Sequence, residues 1–448
     1  MTLWERIKAV TGFIMKMDLL LLFLVMTLLS ISVFVIYHIG AQAGGGLTTY
    51  YQKQILWVAV GFVLMVAIAY IDYSWIGQNS WILYLLGLGM LTLVLIPGVG
   101  LEVNGAKSWI KLPGFTIQPS ELAKPCTIVA LAWYASRKRV LLNQLTNIIP
   151  VVLLAAGPIF LIGLQPDFGS ALVFIPITAT VLFVAGCKVR YLAYPLILAI
   201  VLTPIMYAFL KPHQKNRIKV FIQPLTHSYV VDYSQKKAIK AGLPEDKIDK
   251  IEKMSNSWYY TQTEIAYHQK NISKEEYLEL RKDYMTMKQF RWNYGWQAYQ
   301  SELAVGSGGK YGKGWGNGTQ IKLGFLPRSI ITTDCIFSII CEEGGFYWAV
   351  LVILLILGVI LCTIRTACLA RDLYGKVLVI SIGMLYLCHT YINVGMAIGL
   401  APIIGIPLPF LSYGGSFIIS TMVCVGILQS VYIRREVTAS EQRLTDLV

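Results

Sequence analysis

Residues 19–38 read LLLLFLVMTLLSISVFVIYH, a run without a single charged side chain. A helix of about 20 residues crosses the roughly 30 Å hydrocarbon core of a bilayer, so this run has the length and composition of a transmembrane helix. No small-residue cleavage pattern follows it. The sequence therefore predicts an uncleaved membrane anchor rather than a signal peptide.

Similar apolar stretches recur along the chain of 448 residues, 56% of which are hydrophobic and only 14% charged. A mean hydropathy of +0.60 excludes an ordinary soluble domain. The pattern predicts an all-α polytopic membrane protein with about ten transmembrane helices. They lie near residues 19–38, 54–71, 81–97, 117–135, 147–164, 169–187, 191–210, 337–364, 377–392 and 415–432. The eighth stretch is overlong, which indicates that it begins with a buried segment that does not span.

Basic residues in the short loops fall mainly on one side of these spans, and the positive-inside rule assigns that side to the cytoplasm. That side carries Arg6, Lys8, Lys16, Arg137, Lys138, Arg139, Lys188, Arg190, Arg365, Arg371, Lys376, Arg434 and Arg435, whereas the opposite short loops hold only Lys53, Lys107 and Lys111. Both termini are therefore predicted to be cytoplasmic, in a multi-pass protein of the cytoplasmic (inner) membrane. Because most of the net charge of +14 sits at these positions, beside anionic membrane lipid, we expect no nucleic acid partner.

Three parts are predicted along the chain. Residues 1–210 hold the first seven spans, residues 211–336 form a large extracytoplasmic loop before the eighth span, and residues 337–448 hold the last three spans and a cytoplasmic tail. Within the loop, residues 225–290 turn rich in Lys, Glu, Gln and Tyr. Pro244 and a capping box formed by Ser273 and Glu276 predict a helical insert there, with a structural or partner-docking function.

Polar motifs lie at the outer ends of the apolar stretches: NGAKSWIKL (104–112), QPSELAK (118–124), QPDFGS (165–170) and GIPLPFLSYGG (405–415). Polar groups at membrane depth usually mark a path or a site. Pro407 and Pro409 predict non-helical backbone in the last motif. The glycine-rich stretch AVGSGGKYGKGWGNGTQ (304–320) is interpreted either as a backbone-amide cradle for phosphate or as a flexible surface loop.

The motifs occur in this order, together with GWQAYQSELAVGSGGKYGKGWGNGTQ, IFSIICEEGGF and NVGMAIGLAPIIGIPLPFLSYGGS, in the shape, elongation, division and sporulation (SEDS) family. The chain closely resembles this family, and its RodA-like branch most, over nearly its whole length except about 225–290. The resemblance implies a peptidoglycan glycosyltransferase for cell-wall elongation and rod shape. Such an enzyme polymerises lipid II outside the membrane, releases undecaprenyl pyrophosphate, and works with a class B penicillin-binding protein transpeptidase.

The resemblance also implies that Asp334 is the general base, with capping of the following helix as the alternative function. The preceding stretch, FLPRSIITTDC at 325–335, departs from the family: it has Arg328 where Glu is expected, threonines instead of His-Thr, and two additional residues. Asp167 in QPDFGS is the alternative base. Its place before a predicted helix also fits a capping function.

Substrate binding is assigned first to Lys124, which we expect to recognise the pyrophosphate or a sugar. Glu121 lies three residues earlier on the same helix face and would orient it, unless the two form a purely structural ion pair. Trp109 could stack on a sugar ring or anchor its loop at the membrane interface. The further candidates are Arg217, Gln300 and Ser416.

No cofactor follows from the sequence, and no ligand spacing establishes a metal site. Glu342 and Glu343 could hold a divalent cation such as Mg or Mn for the pyrophosphate, or pair with Arg217. Two other classes of protein stay open: a flippase or transporter of a lipid-linked precursor, and a non-catalytic scaffold of the wall-synthesis complex. Broken helices and intramembrane charges also occur in transporters.

Overall fold

The computed structural model describes residues 13, 15–43, 49–103, 106–112, 115–137, 144–191, 215 and 296–435, and this part of the chain is mostly helical. The helices are α1 (Leu19–Ala43), α2 (Tyr50–Tyr70), α3 (Tyr73–Gln78), α4 (Ser80–Leu95), α5 (Pro119–Arg137), α6 (Leu145–Leu164), α7 (Phe168–Val184), α8 (Trp296–Ser307), α9 (Thr319–Lys322), α10 (Arg328–Ile331), α11 (Ile336–Leu369), α12 (Leu373–Ala397) and α13 (Gly415–Ile433).

Six of the described helices are long and apolar enough to cross a membrane, namely α1, α2, α6, α11, α12 and α13. Helices α4 and α7 are apolar but shorter, and α5 occupies the fourth predicted stretch. The predicted span near 191–210 falls almost wholly outside the described residues, as do the predicted insert at 225–290 and both chain ends. None of the eight cysteines forms a disulfide.

Helix α11 consists of two helical segments that meet at Gly345, whose backbone is non-helical (φ 76°, ψ −170°). Every residue from Ile336 to Gly345 is buried, whereas Phe346 is 62% exposed. The overlong eighth stretch therefore begins with an enclosed segment, as its length predicts.

A small antiparallel sheet separates α4 from α5, with strands β1 (Gly100–Val103), β2 (Ala106–Leu112) and β3 (Phe115–Ile117) in the order β1-β2-β3. The all-α prediction omits this sheet. Its signals were present, because AKSWIKL alternates in character and so places Lys107, Trp109 and Lys111 on one face of a strand. Asn-Gly at 104–105 is also the dipeptide typical of a two-residue hairpin loop.

The helices that matter for the site pack at the centre of the bundle. Helix α12 contacts α5, α7 and α11, while α13 lies along α2 and also contacts α5. The described residues form two compact units, and the smaller one comprises Lys215, residues 296–300 and Gly399–Ile403. The candidate site lies in the larger unit, where side chains on α5 and α12 are enclosed by protein.

Ion pairs hold the helices together at the end that carries the basic residues. Asp18, directly before α1 and 1% exposed, pairs with Arg365 of α11. Its backbone also exchanges two hydrogen bonds with the side chain of Gln429 on α13. The Oδ2 atom of Asp72 lies 3.7 Å from Arg371 Nη2 and 3.6 Å from Arg434 Nε. These contacts join the first and last helices of the larger unit.

Candidate active site

The predicted pair on α5 is buried, with Glu121 3% and Lys124 1% exposed. The Lys124 Nζ atom lies 2.7 Å from Glu121 Oε1 and 3.1 Å from His389 Nε2 on α12. The Ser420 hydroxyl of α13 donates to the main-chain oxygen of Glu121 at 2.7 Å. Burying an ion pair is costly unless its partners are well bonded, and here α5 and α12 supply the two bonds of the ammonium group, while α13 binds the backbone of Glu121.

His389 is a site residue that the sequence reasoning missed. It is 2% exposed, and its Nδ1 atom lies 3.1 Å from the carbonyl oxygen of Pro407. The ring stacks on Phe417 with centroids 5.5 Å apart. A usable signal existed: an ionisable residue inside a span is unusual, and His389 precedes Asn393 by four residues, which places both on one face of a helix.

Residues 405–413, called the proline segment below, connect α12 to α13 without helical structure, as Pro407 and Pro409 predict. Phe410 has a positive φ of 64° and is fully buried. The side chain of Ser412, also fully buried, accepts a hydrogen bond from the Leu408 amide at 2.8 Å. Irregular backbone at membrane depth needs such partners, because lipid offers none.

Asp334 lies two residues before α11, whose N-cap is Cys335, and is half-buried against the proline segment. Its main-chain oxygen accepts a hydrogen bond from Asn393 Nδ2 at 3.0 Å, and the preceding oxygen of Thr333 accepts one from Ser412 at 2.6 Å. A Cβ atom at Gly405 would lie 3.3 Å from Asp334 Oδ2, so the carboxyl group touches this glycine. Although residues 325–333 depart from the expected motif, the backbone at Thr333 and Asp334 is hydrogen-bonded to the proline segment and to α12.

The proline segment therefore contacts Asp334 directly and is connected to Lys124 through His389. His389 bonds Lys124 and Pro407, while Asn393, one turn further along α12, bonds Asp334 and the carbonyl of Ile406 (2.7 Å). Neighbouring carbonyls of one segment are thus held by neighbouring side chains of one helix. This arrangement links a buried ammonium group to a carboxylate at the start of α11.

Asp167, the alternative base, is the N-cap of α7. Its carboxylate accepts hydrogen bonds from the Ser170 amide (3.2 Å), the Ser170 hydroxyl (2.9 Å) and Gln118 Nε2 (3.2 Å). The buried Ser416 hydroxyl accepts from the Gln118 amide at 3.3 Å. The structure thus gives Asp167 the capping function and places Ser416 next to its network.

Glu342, on the first segment of α11, is fully buried and binds the glycine-rich stretch. Its Oε1 atom lies 2.7 Å from Lys313 Nζ and accepts hydrogen bonds from the Thr319 amide (2.8 Å) and hydroxyl (2.7 Å). Among the described residues, Lys313 is the cation that pairs with Glu342, and Arg217 lies outside them.

Glu343 is 1% exposed and binds the same stretch from the next position. It accepts hydrogen bonds from the amides of Gly316 (3.2 Å) and Gly318 (3.1 Å) and from Gln42 of α1. The amides of Gly316 and Gly318 therefore bind a carboxylate of the protein, not a free phosphate. The glycine-rich stretch connects α1 to α11 through these bonds, while Tyr311 within it is 79% exposed.

The remaining predicted residues lie on other elements or outside the described part. Trp109 is half-buried on β2, and Gln300 is 4% exposed on α8. Arg217 lies outside the described residues. Within the ranges that the structure describes, no three His, Cys, Asp or Glu side chains group so as to hold a metal ion.

The fold and this site define a helical protein with several membrane-length helices around a buried carboxylate and ammonium network. A family model of cell cycle proteins, that of FtsW, RodA and SpoVE, matches residues 15–242 and 265–437. The chain belongs to this family. The SEDS membership expected from the motifs is confirmed.

Known proteins match over nearly the whole chain. A relative from Treponema pallidum (strain Nichols), named peptidoglycan glycosyltransferase RodA, is 32% identical over 447 residues, which are 96% of this chain and 100% of the relative. The crystal structure of RodA from Thermus thermophilus has a TM-score of 0.60 at 21% identity, covering 94% of this chain and 98% of that one. A chain from a solved peptidoglycan synthase complex, described as coordinating polymerization and crosslinking, has a TM-score of 0.68 at 22% identity, covering 94% and 99%.

Proposed function

We propose that this chain is a peptidoglycan glycosyltransferase that polymerises lipid II at the outer face of the cytoplasmic membrane, with Asp334 as the general base. The enzyme class follows from the family and from the names of its relatives. The observation that carries the residue assignment is the proline segment, which contacts both Asp334 and, through His389, the Lys124–Glu121 pair.

The reaction joins the 4-hydroxyl of an acceptor GlcNAc to the anomeric carbon of a lipid-linked MurNAc. The acceptor oxygen forms the new bond as the bond to undecaprenyl pyrophosphate breaks, which inverts the configuration. Asp334 takes the hydroxyl proton, because it is a half-buried carboxylate whose backbone is held by α12 and next to the proline segment. The pyrophosphate leaves with the bonding electron pair.

Lys124 recognises the pyrophosphate or the sugar next to it. The ammonium group has three N–H donors. Glu121 and His389 accept two of them, which leaves one for a substrate oxygen. Glu121 offsets the buried charge of Lys124 and holds one of its N–H bonds, so that less solvent has to reorganise when the negative charge of the leaving group develops.

The setting of this reaction is also part of the proposal. The basic residues orient the bundle with both termini in the cytoplasm. A class B penicillin-binding protein is the expected partner, in line with the fold shared with a chain of a synthase complex. The partner would cross-link the strands made for wall elongation.

The test is polymerisation of lipid II by the purified protein, alone and with its cognate transpeptidase. Asp334→Asn keeps the size of the side chain and removes the base, and we expect a loss of about 100-fold or more in glycan strand formation. Asp167→Asn is the matched control, because asparagine also caps helices, and it should retain activity.

The outcomes separate the open alternatives. Full activity of Asp334→Asn together with inactive Asp167→Asn would move the base to Asp167. A wild-type protein that makes no strands with its partner and a divalent cation present would contradict the enzyme and favour a scaffold. Movement of lipid II across vesicle membranes without polymerisation would favour a transporter.

A further inference from the structure

His389 is a buried ionisable residue with two specific contacts, one to Lys124 and one to the proline segment. Nε2 lies 3.1 Å from Lys124 Nζ, and Nδ1 lies 3.1 Å from the Pro407 carbonyl oxygen. With only 2% of the residue exposed, water cannot replace either partner. Each ring nitrogen must therefore be the donor or the acceptor that its protein partner requires.

The partners determine that protonation state. A carbonyl oxygen can only accept, so Nδ1 must carry the proton and donate it to Pro407. An ammonium group can only donate, so Nε2 must offer its lone pair to Lys124. These two requirements select the neutral ring with the hydrogen on Nδ1. A doubly protonated ring would place a second cation 3.1 Å from Lys124 Nζ and leave neither nitrogen able to accept.

The consequence concerns the direction of the Lys124 ammonium group. Glu121 lies on the same helix and fixes one N–H bond, but one contact leaves the group free to rotate about it. His389 supplies a second contact from α12, and its own ring is held by the proline segment that contacts Asp334. Two fixed N–H bonds determine where the third one points.

We propose that His389 is a positioning residue that fixes the third N–H bond of Lys124 toward the substrate. This proposal rests on the proposed function of Lys124. His389 acts through Lys124 and does not touch the substrate.

Two substitutions separate the two ring nitrogens. In His389→Gln the side-chain oxygen reaches the position of Nε2 and still accepts from Lys124, while the donor to Pro407 is lost. In His389→Asn the amide reaches the position of Nδ1 and still donates to Pro407, while nothing contacts Lys124. Both variants replace the ring by a neutral amide, so they form a matched pair.

The rate of lipid II polymerisation and the thermal unfolding midpoint are measured for both variants, with and without Lys124→Met. We expect His389→Asn to lower the turnover rate by about 10- to 100-fold, the usual weight of a hydrogen bond to a charged group. His389→Gln should lose at least about tenfold less. In the Lys124→Met background, His389→Asn should have no further effect on the rate.

Equal loss in the two variants, or a further loss of rate from His389→Asn without Lys124, would overturn the proposal and leave His389 a packing residue. Equal unfolding midpoints with unequal rates would support it, because a purely structural function would change both together.

A second measurement does not depend on activity. In protein with ¹⁵N-labelled histidine, the ring resonances absent from His389→Gln identify this residue among the five histidines. We expect a neutral ring with the hydrogen on Nδ1, and a shifted Nε2 resonance in Lys124→Met. A ring with the hydrogen on Nε2 would overturn the proposal whether or not the protein polymerises lipid II. An inactive wild type with the expected ring state would instead contradict only the proposed function.

Discussion

Replacing Gly308 by alanine tests the contact between the glycine-rich stretch and α11. A Cβ atom at Gly308 would lie 1.9 Å from the carbonyl oxygen of Cys341 and 2.8 Å from its carbon. Both are backbone atoms of α11, so no side chain can rotate away. Because packed interiors hold no spare volume, the stretch must move away from α11 by roughly 1 Å.

The cost follows from the contacts that this movement breaks. The stretch and α11 share backbone hydrogen bonds from Phe346 to Gly309 (2.9 Å), from Lys313 to Glu342 (2.9 Å) and from Gly314 to Glu343 (3.0 Å). Each contributes about 1 kcal/mol net. Together with weakened bonds to the buried glutamate carboxylates, we expect the free energy of unfolding to fall by about 2–4 kcal/mol.

Gly306→Ala is the matched control. Gly306 lies two residues earlier, on α8, and a Cβ atom there would meet nothing within 4 Å. The same substitution there should be neutral or raise helix stability by up to about 1 kcal/mol. Thermal unfolding of the detergent-purified variants measures the difference, and strand formation shows whether the site follows. Equal unfolding midpoints for Gly308→Ala and Gly306→Ala would refute the close contact.

Two further predictions concern buried carboxylates. Glu342→Gln keeps an acceptor for the Thr319 amide but loses the charge that Lys313 balances. Thermal unfolding should therefore show a smaller loss of stability than for Glu342→Ala, whose cost we place at about 3–5 kcal/mol. Equal losses of stability in the two variants would mean that the ion pair dominates. Asp167→Ala should lower the free energy of unfolding by about 1 kcal/mol, because the N-cap of α7 is lost, whereas Asp167→Asn keeps a capping side chain. A large loss of activity in Asp167→Ala without a loss of stability would contradict the capping function.

Much of the bundle could be predicted because each apolar stretch carries its own signal. Residues 19–38 need no tertiary partner to identify them as a membrane-length helix. The prolines of the 405–415 motif likewise predict broken helix wherever they occur. The three strands at 100–117 were missed because the alternation is short and lies between two much stronger helical signals.

The site residues were predictable only in part. Glu121 and Lys124 are three residues apart on a helix, so their pairing follows from helix geometry alone. The bonds of His389 join residues 265 and 18 positions apart along the chain. No local pattern determines such distant contacts.

The sequence alone determined that this protein is a helical membrane bundle of the SEDS family, and it singled out Asp334 and Lys124 as candidate site residues. It could do so because span length, charge asymmetry and motif order can be read along the chain without tertiary contacts. The tertiary structure decided what those residues contact. It brings the carboxylates of Glu342 and Glu343 to amides of the glycine-rich stretch, makes Asp167 the N-cap of α7, and connects Lys124 to the proline segment through His389. The physical reason is that a buried polar group must find a partner somewhere, and only the packing of helices decides which one comes within reach.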